Sequence, residues 1–258
     1  MFGFPKVTHK IFKNNFLKTA IFQIRYSELE LTLDHFEKIE ELFKASLPRI
    51  VKRKEKNFKL NLNSNAKIEQ NTPELGYYFE LKSLNGLKKI SIAGDTLDFT
   101  ISGDEYAGFK SIDQDLNNII DLLSILGVKE VLRVAIRKIN ILEFDSLEST
   151  ADMLRYVITE NLLGYLDEFP LGKHLKHSMQ SIVMHNEENL TSLYLRYGFN
   201  VVPIVGNEKN QIVVDIDIFK NAEIKNADIL TVFNLNNIEI FNTFNWVINE
   251  KILNILNE

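Results

Sequence analysis

The chain has 258 residues, of which 45% are hydrophobic and 25% charged, and its formal net charge is -5. This composition is typical of a globular protein and not of a disordered one, and the negative charge argues against a protein dedicated to duplex DNA, which usually presents a strongly basic surface. The absence of cysteine excludes a disulfide framework, a thiolate metal site and a cysteine nucleophile, and it fits a reducing compartment.

The first half of the chain is predicted to form a strand, a helix, three further strands and a second helix. Alternating apolar and polar residues indicate the first strand at 18–27, and the helix after it ends before Pro48. Turn residues and helical spacing indicate the later elements at 76–82, 87–93, 96–102 and 109–126, with Gly127 ending the last of them. The basic stretch 49–59 is expected to be a solvated helix end or loop, and 61–74 a loop.

The second half shows the same order of elements. It is predicted to form a strand at 130–143, a helix at 147–164, three more strands and a long C-terminal helix at 228–257 that breaks near Asn236-Asn237. Those three strands are expected at 175–185, 190–198 and 210–219. The sequence therefore predicts an α+β fold of two pseudo-repeated β-α-β-β-β-α halves, 1–127 and 128–258, packed as one globular unit with mainly antiparallel sheet and helices on one face.

The face of the sheet without helices is expected to carry the polar residues of each strand. The candidate ligand-binding residues on it are Arg25, Arg133, Arg137, Gln23, Tyr194 and Arg196. The wider polar set adds Tyr78, Glu80, Asp98, Thr100, Gln180, Asp215 and Asp217. The arginines have two interpretations: they pair with carboxylates of neighbouring strands, or they bind phosphate or carboxylate of a ligand while the tyrosines stack on bases.

The chain shows no motif that specifies a catalytic site. Asp215 and Asp217 share a strand face and form a candidate Mg²⁺ pair, but no third acidic ligand stands at a defined spacing. His174 and His177 point to opposite faces of a strand, which disfavours a zinc site. No Gly-rich phosphate loop and no nucleophile elbow occurs, so neither catalytic residues nor a cofactor are predicted.

The expected cellular location of the protein depends on the absence of targeting signals, and its expected partners depend in part on its C-terminal helix. The N-terminus does not resemble a secretory signal, and no apolar run approaches the roughly 20 residues of a membrane-spanning helix, so a cytoplasmic protein without a membrane partner is expected. The apolar stripe of the C-terminal helix is expected to pack within the chain, and the alternative is a homodimer through that helix.

Several segments resemble a bacterial family of about this length that is sporadically distributed and of unknown function. They are residues 14–26 (NNFLKTAIFQIRY), 131–140 (VLRVAIRKIN), 214–217 (VDID) and 241–244 (FNTF). The resemblance covers nearly the whole chain and brings no established activity. Sporadic distribution implies a mobile accessory gene, such as a component of phage defence, of a toxin–antitoxin pair or of immunity.

Three functions are compatible with these observations. The first is a non-enzymatic binding protein of an accessory bacterial system, which holds a protein partner or ligand on the polar sheet face. The second is a nucleic-acid or nucleotide-binding sensor that uses the same face. The third is a metal-dependent phosphoryl-transfer enzyme or nuclease built on Asp215 and Asp217.

Overall fold

The sheet and its helices are seen in a computed structural model, which describes residues 2–8, 12, 14–56, 60–62, 68–70, 75–144, 150–164, 176–204 and 207–257. Within these ranges the protein is α+β, with one large antiparallel sheet and five α-helices. The strands are β1 (Leu17–Arg25), β2 (Arg49–Lys56), β3 (Leu60–Leu62), β4 (Ile68–Gln70), β5 (Leu75–Lys82), β6 (Lys88–Ile92), β7 (Thr96–Ser102), β8 (Glu130–Phe144), β9 (His177–Asn186), β10 (Thr191–Ile204) and β11 (Asn207–Lys225). The α-helices are α1 (Leu33–Phe43), α2 (Asp113–Ile125), α3 (Thr150–Val157), α4 (Ile229–Val247) and α5 (Glu250–Asn257).

The large sheet has nine strands in the order β2-β5-β6-β7-β1-β8-β11-β10-β9, and β3 pairs with β4 in a separate hairpin. The two strands that open the predicted halves, β1 and β8, are direct neighbours near the centre, with Phe22 opposite Ile136 and Arg25 opposite Arg133. Outward from this pair, β7, β6 and β5 follow β1 in the same order as β11, β10 and β9 follow β8.

The core lies on one face of the sheet because alternate strand residues are apolar. In β1 the side chains of Ala20, Phe22 and Ile24 are buried, while the residues between them are partly exposed. The Phe22 ring packs against Phe99 of β7 and, edge-on, against Phe233 of α4, with centroid distances of 5.9 and 5.5 Å. Burial of one such ring stabilises the fold by roughly 1.5–3 kcal/mol relative to an exposed ring.

In the first half, α1 has a side-chain cap at its start and α2 ends before a glycine. Thr32 caps α1: its hydroxyl accepts from the His35 amide, and the His35 ring accepts from the Thr32 amide. α2 follows a short 3-10 turn and ends before Gly127, whose φ of +75° is the left-handed conformation expected after a helix. The predicted helix at 109–126 and its glycine stop are therefore confirmed.

The C-terminal helix does not break at the predicted position. Asn236 and Asn237 lie inside α4 and are buried; the Asn236 amide donates to the carbonyls of Val134 and Ile218, both at 3.3 Å. Asparagine disfavours a helix when its side chain competes for the helix backbone, but here the side chain bonds the sheet instead. The helix ends at Val247, and Ile248 forms a bridge with Ile158.

Two stretches predicted to be loops contain strands. β2 lies within the basic stretch 49–59, at the edge of the sheet, where it pairs with β5 while Ile50 packs against the core. Charged side chains are compatible with an edge strand because they face solvent and discourage pairing with another chain. The β3–β4 hairpin starts at Leu60 and takes in parts of the stretch 61–74. Of the predicted helix at 147–164, the described part is α3 and a 3-10 turn, Glu160–Leu162.

No helix in the described ranges is long and apolar enough to cross a membrane. α4 packs its apolar side chains against β8 and β11 of its own chain, as the intramolecular interpretation of the C-terminal helix predicts.

Candidate functional site

The face of the large sheet opposite the core carries the predicted polar residues, and we call it the open face. It is defined by residues that are cross-strand neighbours or alternate along the strands: Gln23, Arg25, Asp98, Arg133, Arg137, Tyr194, Arg196, Asp215 and Asp217. All six predicted ligand-binding residues therefore lie on one face of four adjacent strands. Gln180 was assigned to this face wrongly: it stands opposite Tyr197, whose side chain points to the core, because β9 pairs one residue out of the expected phase.

Arg137 forms a two-point ion pair on the open face. Its Nε and Nη2 donate to the two carboxylate oxygens of Asp215 at 2.8 and 2.7 Å, a bidentate geometry. The hydrogen bond with Asp215 raises the pKa of the Arg137 guanidinium above its usual range. Because Asp215 is only 7% exposed, Arg137 supplies the counter-charge for a buried carboxylate.

Arg133 is held by an aromatic ring as well as by a carboxylate. Its Nη2 lies 3.4 Å from Asp217 Oδ2, and its Cζ lies 3.6 Å from the centroid of the Phe219 ring. The Tyr194 ring in turn stacks with Phe219 at 5.5 Å. Burial lowers the pKa of Arg133, although the charge of Asp217 acts in the opposite direction. Burial raises the pKa of Asp217.

Arg25 and Arg196 differ from the other two arginines. Both are exposed, and neither forms an ion pair with a residue in the described ranges. Arg25 stands directly opposite Arg133 across the β1–β8 pair, and its charge is one cause of the lowered pKa of Arg133. Gln23 is engaged within the face, since its Nε2 donates to Asp98 Oδ1 at 2.9 Å.

A polar cleft of about 210 Å³ runs across the middle of the open face, from β6 to β11. Its lining consists of Ile21, Gln23, Lys89, Ser91, Asp98, Thr100, Arg133, Ala135, Arg137 and Asp217. The cleft therefore joins three of the predicted ligand-binding residues and one of the two predicted metal ligands, while Arg25, Tyr194 and Arg196 lie outside its lining.

The candidate metal pair is engaged by arginines. Asp215 and Asp217 lie on the same face, as their spacing predicts, but each accepts a hydrogen bond from a guanidinium. In the part of the chain that the structure describes, no three histidine, aspartate or glutamate side chains converge on a common point. His185 contacts Ser192 at 2.8 Å, His177 contacts Asn200, and His174 lies outside the described residues.

Lys138 lies on the core side of β8 and was not among the predicted site residues. Its Nζ donates to Asn237 Oδ1 of α4 at 2.7 Å and stands 4.8 Å from the centroid of the Tyr106 ring. Burial lowers its pKa to about 7. A signal was present, because Lys138 continues the alternation of the buried Val134 and Ile136 and so was due to point into the core.

No protein-family model and no curated protein matches this chain in comparisons of its sequence.

Proposed function

We propose that this protein is a non-enzymatic binding protein that holds an acidic partner surface on its open face. The observation that carries the proposal is Arg25, an exposed guanidinium opposite the guanidinium of Arg133. Like charges directly opposite in a sheet are unfavourable. Of these two arginines, Arg133 has a carboxylate partner in the described ranges and Arg25 has none. A carboxylate or phosphate of a partner that contacts Arg25 would relieve this repulsion.

The charge elsewhere on the open face also supports an acidic partner. On the β2 side of the sheet the same face carries further cations, at Arg49, Arg53, Lys82 and Lys89, and Glu80 pairs with both lysines. The face is thus locally basic in a chain whose net charge is -5. Complementary charge of this kind accelerates association and selects the partner more than it raises affinity.

The face also has the mixture of rigid and free side chains that suits recognition. Arg133 and Arg137 are fixed by Phe219 and by carboxylates, so they give the cleft its shape. Arg25, Arg196 and the exposed ring of Tyr194 are available to a partner, and arginine and tyrosine are enriched at such interfaces.

The two-halved architecture predicted from the sequence is part of the proposal. The same order of strands on each side of β1 and β8 supports a pseudo-repeat of 1–127 and 128–258. Helices on one face are supported by the contacts of Phe36 in α1 with Phe79 and of Phe233 in α4 with Phe22, since both rings contacted belong to the core face.

The biological setting rests on the resemblance and on composition. The strand segments quoted above support membership in the sporadically distributed bacterial family, and thereby a role in an accessory system such as defence, toxin–antitoxin or immunity. The cysteine-free composition favours a cytoplasmic location.

A second candidate is a sensor of nucleotide or nucleic acid. It is favoured by the cleft, which places Lys89, Arg133 and Arg137 around one polar depression with aromatic rings at its side. This function requires affinity that falls steeply with salt concentration. The metal-dependent enzyme has no observation of this kind beyond the spacing of Asp215 and Asp217.

The experiment compares three tagged versions of the protein in affinity capture from the native host at moderate salt. The first is the unaltered chain, and the second carries Arg25→Glu and Arg196→Glu, which disturb no ion pair in the described ranges. The matched control carries Lys44→Glu and Lys110→Glu, two exposed cations at helical elements on the core side of the sheet. Captured proteins are identified by mass spectrometry and nucleic acid by sequencing.

The proposal expects a stoichiometric protein that the unaltered chain and the control capture and the open-face variant does not. Nucleic acid or a phosphorylated small molecule without any protein would instead support the sensor. Divalent-metal-dependent turnover that Asp217→Ala abolishes would support the enzyme. The mass of the purified protein in solution separately tests the alternative of a homodimer through the C-terminal helix.

A further inference from the structure

A small cavity lies on the core side of β8, beneath α4, and is independent of the open face. Its volume is about 80 Å³, and it is lined mainly by aromatic rings together with two titratable side chains. The rings are Phe12, Phe16, Phe241 and Phe244, and the titratable side chains are Lys138 and Tyr106. A largely apolar cavity with a few convergent polar groups is the usual form of a small-molecule site.

Lys138 brings a positive charge to this cavity without a counter-charge from the described residues. Its Nζ carries three donor hydrogens when protonated; it donates to Asn237 Oδ1 at 2.7 Å and lies 4.8 Å from the centroid of the Tyr106 ring. No aspartate or glutamate occurs in the described lining. Lys138 is only partly exposed, and a charge held largely away from water without an ionic partner is destabilising unless a ligand supplies one.

Tyr106 contributes a second unsatisfied group. Its hydroxyl is buried, the residue is only 8% exposed, and no described residue accepts its hydrogen bond. Burial raises the pKa of this hydroxyl, so it stays protonated and able to donate. Lys138, whose ammonium has donor hydrogens beyond the one bonded to Asn237, and Tyr106, whose hydroxyl has no acceptor among the described residues, thus line one cavity, on β8 and on the loop that precedes α2.

We propose that this cavity binds a small monocarboxylate with a short apolar tail. The carboxylate would accept hydrogen bonds from Lys138 and Tyr106, and the tail would contact the phenylalanine rings. The size of the ligand follows from the volume, because a cavity of about 150 Å³ holds benzene and this one is smaller. Acetate and propionate are of the right size.

The protonation of Lys138 makes this site sensitive to pH. Burial lowers the pKa of Lys138 to about 7, so in the empty cavity the amine loses its proton near neutrality. Tyr106 is the other titratable group in the described lining, and it stays neutral through this range. A bound carboxylate favours the ammonium form and therefore binds more strongly at acid than at alkaline pH.

The test measures the affinity for sodium propionate by isothermal titration calorimetry at about pH 6 and about pH 9. Sodium chloride at equal ionic strength is the control titrant. The variants are Lys138→Met, which keeps the length of the side chain without the charge, and Tyr106→Phe, which removes only the hydroxyl. Lys89→Met is the control, because it removes a lysine from the cleft on the open face.

The proposal expects saturable one-site binding that weakens at least about tenfold at the higher pH. Binding should disappear in Lys138→Met, weaken in Tyr106→Phe and be unchanged in Lys89→Met. The proposal fails if propionate and acetate show no saturable binding, if Lys138→Met binds normally, or if Lys89→Met removes the binding. Should Lys138→Met not fold, an unchanged affinity in Tyr106→Phe together with no pH dependence would refute the site.

Discussion

At the scale of single residues, the four arginines of the open face differ in role because their neighbours differ. Arg137 neutralises a buried carboxylate, Arg133 lies against Phe219, and Arg25 and Arg196 reach solvent. The two interpretations of arginine that the sequence left open therefore both apply, each to different residues: pairing describes Arg133 and Arg137, and binding is proposed for the others.

The ion pair of Arg137 leads to a prediction about stability. Arg137→Ala leaves the carboxylate of Asp215 buried without its bidentate partner, and we expect a loss of about 2 kcal/mol in the free energy of unfolding, below the usual range for buried pairs because Arg137 is partly exposed. Arg196→Ala should change it by less than about 0.5 kcal/mol. Equilibrium unfolding in urea measures both, and equal losses in the two variants would contradict the assignment.

The pKa of Lys138 leads to a prediction about pH. Because the folded-state pKa is about 7 and the ordinary value is 10.5, the unfolded chain binds more protons between these values. The contribution of this group to stability therefore rises as pH increases from about 7 toward 10.5 and is lost as pH falls through 7. Lys138→Met removes this dependence. The free energy of unfolding of Lys138→Met should therefore exceed that of the unaltered protein by the largest amount below neutrality.

The measurement is urea unfolding of both proteins across this pH range, with Lys44→Met as the exposed control. A difference between Lys138→Met and the unaltered chain that stays constant with pH would show that Lys138 keeps an ordinary pKa.

At the scale of elements, strands β1 and β7 approach closely where the chain leaves the sheet. The amide of Gly103 donates to the Lys18 carbonyl at 3.0 Å, and a Cβ at this glycine would lie 1.6 Å from the Leu17 carbonyl oxygen. That oxygen belongs to the backbone, so the clash cannot be relieved by rotation of a side chain. The absence of a side chain at Gly103 therefore allows β1 and β7 to stay paired as far as Thr19 and Ser102.

Gly103→Ala is therefore expected to lower the free energy of unfolding by about 2 kcal/mol or more, because the two strands must separate. Gly164→Ala is the matched control, since a Cβ there meets nothing within 4 Å. Thermal unfolding followed by circular dichroism compares the two variants, and a neutral Gly103→Ala would mean that the strands are less tightly apposed.

At the scale of the whole molecule, the two predicted halves share one sheet. β1 pairs with β8 along most of its length, and the N-terminal segment reaches the second half, where Phe2 and Val7 donate backbone hydrogen bonds to Glu239 and Asn242 of α4. Without the other half, β1 would lose its pairing with β8 and become an edge strand, and β8 would do the same.

We therefore expect the halves to unfold in a single transition. Trp246, the one tryptophan of the chain, reports on the second half by fluorescence, and amide exchange of β5 to β7 reports on the first. The midpoints in urea should coincide. If β5 to β7 opened at lower urea than Trp246, the halves would be separate folding units.

The sequence by itself determined the class of fold and most of the element positions. Alternation in β1 and β8, turn residues between β5, β6 and β7, and Gly127 after α2 are local signals, because pleat, turn and cap geometry depend on neighbouring residues. The same alternation placed all six predicted ligand-binding residues on one face, and it failed for Gln180 because the phase of an edge strand depends on its pairing.

The tertiary structure decided what long-range contacts control. β2 is a strand because β5 offers it an edge, and Asn236 stays helical because the carbonyls of Val134 and Ile218 accept its amide hydrogens. Which arginines are neutralised and which remain free depends on carboxylates that lie about eighty residues further along the chain. The alternation of β8 directs Lys138 toward the core, but the lowered pKa of its amine depends on the packing of α4 over β8, since desolvation is a property of the packed core and not of the strand itself.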